Sequence, residues 1–316
     1  MRRLLITISV PVMLLSCGVN RSSFTPSKKY SPQQLQRDYA VYRGALEKHH
    51  PGLYWYTSKD SLDHYFDKGR SMLNDSLTEP AFRKVLSYVT SRINCGHTSV
   101  RTSKSWSRQR DTAILNKLFP LSVKVWPDTM VMIANLNRRD STLQRGHVIT
   151  SINGRGVQQI VDTMFDYIST DGYNLTHKYQ SLSNRGYFGA LYTLLFGISP
   201  KYTIEYLDHD GQKKTAVIPV YDPSKDTLDR RALRPVNRVP QPSAKERKQQ
   251  QLENVRQLKI DTAGRTAIME LASFGRNYGL RRFFRHSFRA LRKNDITHLI
   301  IDVRGNGGGS VTNSTI

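Results

Sequence analysis

Apolar positions recur at two periods along this chain, and the change of period divides it. Between residues 30 and 93 the spacing is helical. Leu35, Tyr39, Tyr42 and Leu46 follow Ser31-Pro32, a pair suited to an N-cap and first helical position. That helix is expected to end near His49-His50, because Pro51 disfavours helix in the residue before it. Leu62, Tyr65, Phe66 and Leu73 predict a second helix. A third starts at a Thr78 cap, with Phe82, Val85, Leu86, Val89 and Ile93 on one stripe. Gly96 then stands where a helix C′ residue is expected, so that His97-Thr98-Ser99-Val100 leaves as an extended segment.

From Phe119 the period is two. Leu121, Val123 and Val125 alternate, Met130 and Ile133 follow, and His147–Ile152 runs into the turn Asn153-Gly154. Val157, Ile160, Val161, Met164, Phe165 and Ile168 form the apolar face of a short helix, and 178–196 reads as an inserted helical segment. Tyr202–Leu207 and Lys213–Val220 flank the hairpin signal Asp208-His209-Asp210-Gly211. The stretch 222–259 is rich in Pro, Arg and Gln and reads as a linker that can end in a helix, with apolar residues resuming at Leu252, Val255 and Leu258. Thr266–Leu271 predicts a strand, Tyr278–Lys293 an amphipathic helix and Leu299–Val303 a second strand. Together they make a βαβ unit with a parallel pair. The fold class is mixed α+β, with the start of an α/β core at its C-terminal end.

Composition narrows the compartment. The 316 residues are 38% hydrophobic, enough to bury a core and suggesting two domains. Met1-Arg2-Arg3, an apolar run from Leu4 to Leu15 and Ser16-Cys17-Gly18 read as a secretory signal. Leu14-Leu15-Ser16-Cys17 resembles a bacterial lipobox, in which Cys17 is lipidated; the alternative is a plain cleaved signal in which Cys17 is incidental. The expected location is the bacterial cell envelope, membrane-anchored and facing the periplasm or the exterior. Cys17 and Cys95 cannot make a disulfide framework if the first is acylated, and no metal site or cofactor is implied. The net charge of +23 is spread over several segments rather than gathered on one reading element, which argues against nucleic acid. It reads as solubility and attraction to anionic lipid or acidic peptides.

The candidate chemistry lies in two short motifs. Leu299–Arg304 runs into Gly305-Asn306-Gly307-Gly308-Gly309-Ser310, a strand end that brings bare backbone N–H groups up to a ligand. Cys95-Gly96-His97-Thr98 follows the third helix. The stretch Leu143–Gly154 between them resembles a PDZ domain, with His147 in place of the usual acidic residue. A small antiparallel β-domain of another kind is the alternative. In this order the features resemble the tail-specific proteases, or C-terminal processing peptidases, and their tricorn-core-like branch. Ile300–Gly308 matches the strand followed by D-x-R-x-N-x-G-G, and Gly96–Thr98 matches G-H-T.

The resemblance implies a serine endopeptidase that cuts extended or misfolded polypeptides. It places His97 as general base and backbone N–H groups of Gly307 and Gly308 in an oxyanion hole, each donor worth on the order of 3 kcal/mol. In the family the serine follows a further helix and strand, so the nucleophile is expected beyond Ile316, and a branch of the family uses a downstream lysine as base instead. The implied organisation is a signal peptide at 1–17, a helical region at 18–118, a PDZ-like domain at 119–221, a linker at 222–260 and the start of a protease core at 261–316. Ser310 sits on the glycine loop itself, an unsuitable place for a nucleophile. Cys95 reads as a small buried residue, His49-His50 as surface or packing, and Asp302 and Arg304 as a pair orienting the loop. The other functional class is a non-catalytic lipoprotein that adds an extended peptide to an edge of the PDZ-like sheet.

Overall fold

The computed structural model describes residues 25–109, 117–226 and 242–314; the signal and lipobox reading at 1–17 lies outside them. The chain forms two compact units, Met1–Thr227 and Leu228–Ile316.

In the first unit, β1 (Lys29–Tyr30) leads into α1 (Pro32–His49), followed by α2 (Lys59–Ser71), β2 (Leu77–Thr78) and α3 (Glu79–Ser91). β1 and β2 pair antiparallel. Ser31 caps α1 by accepting from the Gln34 N–H, as its position before Pro32 predicts. Thr78 is the N-cap of α3, yet its side chain makes no capping bond. The apolar stripes of the three helices meet in one core of Leu35, Tyr39, Leu62, Phe66, Leu73, Val89 and Ile93. At roughly 1.5–3 kcal/mol per buried side chain, that stripe-to-stripe contact, rather than helix propensity, holds the layer together. A short helix, α4 (Lys104–Gln109), comes next in the chain.

A second core belongs to an antiparallel sheet. Its strands are β3 (Leu121–Trp126), β4 (Thr129–Asn135), β5 (Val148–Ile152), β6 (Arg155–Gly156), β7 (Lys201–Leu207) and β8 (Lys213–Pro219). The order is β3-β4-β5-β7-β8, with β6 beside β5. The helices α5 (Val157–Phe165), α6 (Leu175–Leu182) and α7 (Tyr187–Phe196) interrupt it between β6 and β7. The alternation read from Leu121, Val123 and Val125 is the buried face of β3. His147 is buried in this sheet, stacked on Tyr206 with ring centroids 4.8 Å apart, and its Nδ1 accepts from the Gln144 N–H at 3.2 Å. Helical layer and sheet are tied by Arg92, which pairs with Asp166 at 2.6 Å, and by Ser91 Oγ, which donates to the Asp166 carbonyl at 2.6 Å.

The second unit contains α8 (Ala244–Val255), β9 (Arg256–Asp261), β10 (Thr266–Leu271), α9 (Leu280–Lys293), β11 (His298–Asp302) and α10 (Val311–Ser314). β10 and β11 are parallel, joined through α9, as the βαβ pattern requires. The stretch read as a linker departs from expectation in one respect. The helix at its end, with a capping box at Ser243 and Glu246, agrees with the sequence, but β9 follows it, antiparallel to β10, so the sheet starts at Arg256 rather than after residue 260. Met269, Leu271 and Leu280 form its core. On α9, Arg281, Arg282, Arg285, Arg289, Arg292 and Lys293 are all exposed, which accounts for part of the positive charge as a solvent-facing surface.

Candidate active site

The glycine loop leaves the carboxyl end of β11, where ligands of parallel sheets bind. Its start is fixed by a local clamp. The Arg304 backbone N–H and Nε donate to Asp302 Oδ1, both at 3.0 Å, and Nη2 donates to Oδ2 at 2.6 Å. These bonds hold the Asp302 carboxyl well below its ordinary 3.8, at about 2. Asp302 and Arg304 thus orient the loop by pairing with each other, as their spacing suggests.

Asn306 then organises the glycines. Its Nδ2 donates to the Leu271 carbonyl of β10 at 3.0 Å, while its Oδ1 accepts from the Gly308 N–H at 2.7 Å. Gly308 has φ of 89°, in the left-handed region open to glycine, and its carbonyl accepts from the Phe274 N–H at 2.8 Å. Gly309 has φ of 151°, and a Cβ there would lie 2.3 Å from the Phe274 carbonyl carbon, so no larger residue fits without moving the backbone. Around Gly307 there is nothing within 4 Å of a built Cβ. Its N–H has no acceptor among the described residues. The two glycines expected to act alike therefore differ: the Gly308 N–H is engaged by Asn306, and Gly307 presents the open donor.

Ser310 is tied into the same loop. Its N–H donates to the Phe274 carbonyl at 3.0 Å, and its hydroxyl lies 2.8 Å from Thr312 Oγ1 and accepts from Arg276 Nε at 3.4 Å. Among the described residues no histidine or lysine lies within hydrogen-bond distance of that hydroxyl to activate it as a nucleophile. Beside the loop a cleft of about 340 Å³ is lined by Glu253, Arg256, Glu270, Asp302 and Arg304.

In the first unit the Gly-His-Thr segment is a turn, closed by the Thr98 N–H donating to the Cys95 carbonyl at 3.1 Å, where an extended segment was expected from His97 onward. α3 ends at Ser91, and the left-handed residue after it is Asn94, with φ of 56°; Gly96 is not in that region. Asn94, a residue that tolerates this conformation, takes the role assigned to Gly96. Gly96 instead donates its N–H to Asp171 Oδ1 at 2.7 Å. His97 is exposed at the tip of the turn. Cys95 packs against the helical core as a free thiol, which removes it as a partner for the imidazole.

The turn's second anchor is His50. Its Nδ1 accepts from the Gly52 N–H at 3.3 Å, so in the neutral ring Nε2 carries the proton and donates to Thr98 Oγ1 at 2.8 Å. Sequence reading left His50 as surface or packing and did not single out Asp171. Neither has a signal in the sequence, since they act on the turn across 48 and 75 residues.

The edge of β3 bears on the alternative class. The Val125 N–H of that edge strand donates to Ser183 Oγ at 3.0 Å, and the Ser183 hydroxyl turns back to the Tyr179 carbonyl at 2.8 Å. The α6–α7 insert thus occupies part of the edge that an added peptide strand would pair with.

Comparison with known proteins agrees with the motif. Residues 265–316 match the family model Peptidase family S41, the C-terminal processing peptidases, so the resemblance read from Ile300–Gly308 holds. No curated protein matches the chain. Among solved structures it is similar to mature CPAF complexed with lactacystin, with TM-score 0.51 and 12% identity over 89% of this chain. A serine-to-alanine mutant of CPAF gives TM-score 0.52, also at 12% identity and 89% coverage. This chain spans 58% and 57% of those two chains. The likeness shows a mixed α+β fold of the CPAF type.

Proposed function

We propose that the protein is an exported serine endopeptidase acting on extended or misfolded polypeptides, with Gly307 as an oxyanion donor and His97 as general base. The observation that carries this reading is the glycine loop. An Asn306-braced turn at the end of β11 leaves the Gly307 N–H without an acceptor and open to approach, inside the segment similar to peptidase family S41. The reading calls for a nucleophilic serine after a further helix and strand, in keeping with the family that the chain resembles. Cys17 carries a lipid that holds the protein at the envelope membrane, and the sheet of β3–β8 with α5 is PDZ-like. Because Ser183 already holds the Val125 N–H, this reading is preferred over peptide capture at the β3 edge.

The test uses the full-length protein that carries these residues. Lactacystin, the compound bound in one CPAF structure, and an unfolded casein substrate serve as probes. Expected are substrate cleavage that lactacystin blocks, and loss of cleavage of about 10³-fold or more in His97→Ala with an unchanged circular dichroism spectrum. Cleavage by His97→Ala at the parent rate would overturn the assignment of the base. Absence of cleavage in the parent would overturn the peptidase reading.

A further inference from the structure

Within the first unit a cavity of about 330 Å³ lies between α3, the Gly-His-Thr turn and α7. Val100, Leu191 and Leu194 supply an apolar wall, and Arg83, Ser87, Ser99, Ser169 and Tyr187 a polar one. No Asp or Glu lines it. The Arg83 Nε–H is buried and has no hydrogen-bond partner, and burial pushes the guanidinium below its ordinary range, although arginine stays charged. Arg83 also borders a neighbouring cavity lined by Asp38 and Glu79, and Glu79, one turn earlier in α3, is the acid that acts on it. Both Glu79 oxygens are occupied by Ser103, whose N–H donates at 2.9 Å and whose hydroxyl donates at 2.7 Å. Burial pushes the Tyr187 hydroxyl up, keeping it a proton donor.

On the side of this cavity Arg83 meets hydroxyl groups and no carboxylate, and its buried Nε–H lacks an acceptor, an arrangement that an anion in the cavity would complete. The volume is at the lower end of small-molecule sites. We propose that this cavity binds the carboxylate of an amino-acid-sized apolar acid, with Arg83 as counter-charge, Ser87 and Ser99 as hydroxyl donors and the Leu191–Leu194 wall around the apolar end. Gly96 and Ser99 line the cavity on either side of His97-Thr98, so an occupant rests against the turn that carries His97. The proposal is independent of the peptidase reading, because its readout is binding.

The 316-residue chain is titrated by calorimetry with N-acetyl-L-leucine and with its neutral amide, while the His97 ring resonances are followed by NMR. Saturable binding of the acid is expected, about tenfold or more tighter than the amide. The His97 shift should follow the same saturation curve. Arg83→Gln should erase the acid preference, and Ala190→Phe, at an exposed position of α7 on the cavity wall, should weaken binding of both compounds while leaving Arg83 in place. Equal affinity for acid and amide, no saturable heat, or parent-like binding by Ala190→Phe would each overturn the proposal. The last stands even if Arg83→Gln fails to fold. N-acetyl-Ala-Ala-Leu with a free carboxyl group is run alongside. Tighter binding of the tripeptide identifies a chain terminus as the source of the carboxylate, and tighter binding of the single residue a free acid.

Discussion

The glycine loop and the Gly-His-Thr turn differ in how their inner bonds are made, although the loop is also anchored from afar at Leu271 and Phe274. In the loop, Asp302 pairs with Arg304 two residues on, and Gly308 donates to Asn306 two residues back. The Gly-His-Thr turn is fixed from afar, by His50 across 48 residues and Asp171 across 75. Bonds made within a loop write its determinants into a contiguous motif, which is why D-x-R-x-N-x-G-G is specific by itself even though Leu271 and Phe274 also hold it. A turn held by distant side chains leaves only three residues in sequence, and its meaning depends on where it falls in the chain.

The sharpest break of this comparison is inside the loop. Gly309→Ala would drive a Cβ to 2.3 Å from the Phe274 carbonyl carbon, and the obstacle is backbone rather than a flexible side chain. Unfolding of the second unit by denaturant is expected to show a loss above about 2 kcal/mol. Gly307→Ala meets open space and is expected to stay within about 0.5 kcal/mol of the parent. Comparable losses for the two variants would mean that the loop is not set by the approach of Gly309 to Phe274.

Asn306→Asp ranks next. It replaces the amide that donates to Leu271 with an acceptor facing a carbonyl, and a loss of about 1–3 kcal/mol is expected because both groups become unpaired. The Gly-His-Thr turn gives smaller numbers, since its bonds are exposed or half-buried. Asp171→Ala should cost about 1 kcal/mol and His50→Phe about 0.5–1 kcal/mol. In the active protein both should lower kcat more than they change KM, because they position His97 rather than touch substrate. A double variant whose losses simply add would show that the two anchors do not act on one turn.

The same contrast explains what was legible beforehand. α1, α2 and α3, the alternating strands of the sheet and the parallel pair β10–β11 are set by local periodicity, and they stand where Leu35, Val89, Val123 and Met269 place them. β9 was hidden although Leu258 and Ile260 alternate with charged or polar neighbours. It is an edge strand behind a Pro- and Arg-rich stretch, and a cross-strand pair of Lys259 with Glu270 at 2.6 Å adds to its pairing with β10. Asn94 was passed over because Gly96, two residues on, is the commoner left-handed cap. His50 and Asp171 could be found only in three dimensions. The loop's chemistry was visible and its division of labour was not: Gly307 and Gly308 are equivalent letters until Asn306 claims one N–H.

The smallest effect tests whether the loop clamp is as self-contained as the comparison says. Asp302 is held at about 2 chiefly by the Arg304 side chain and then by the Arg304 backbone N–H. A carboxyl depressed in the folded state contributes stability that is complete above its unfolded value near 3.8 and fades as pH falls through about 2. The Arg304 side chain is 90% exposed, so solvent screens the pair and the change in unfolding free energy should be slight. The carboxyl resonance of Asp302 is the sensitive reporter, with a midpoint near 2 in the parent. In Arg304→Gln it should move back toward 3.8 without reaching it, because the backbone N–H bond remains. A midpoint unmoved by Arg304→Gln would mean that a more distant group holds Asp302, and the glycine loop would then resemble the Gly-His-Thr turn in being assembled from afar.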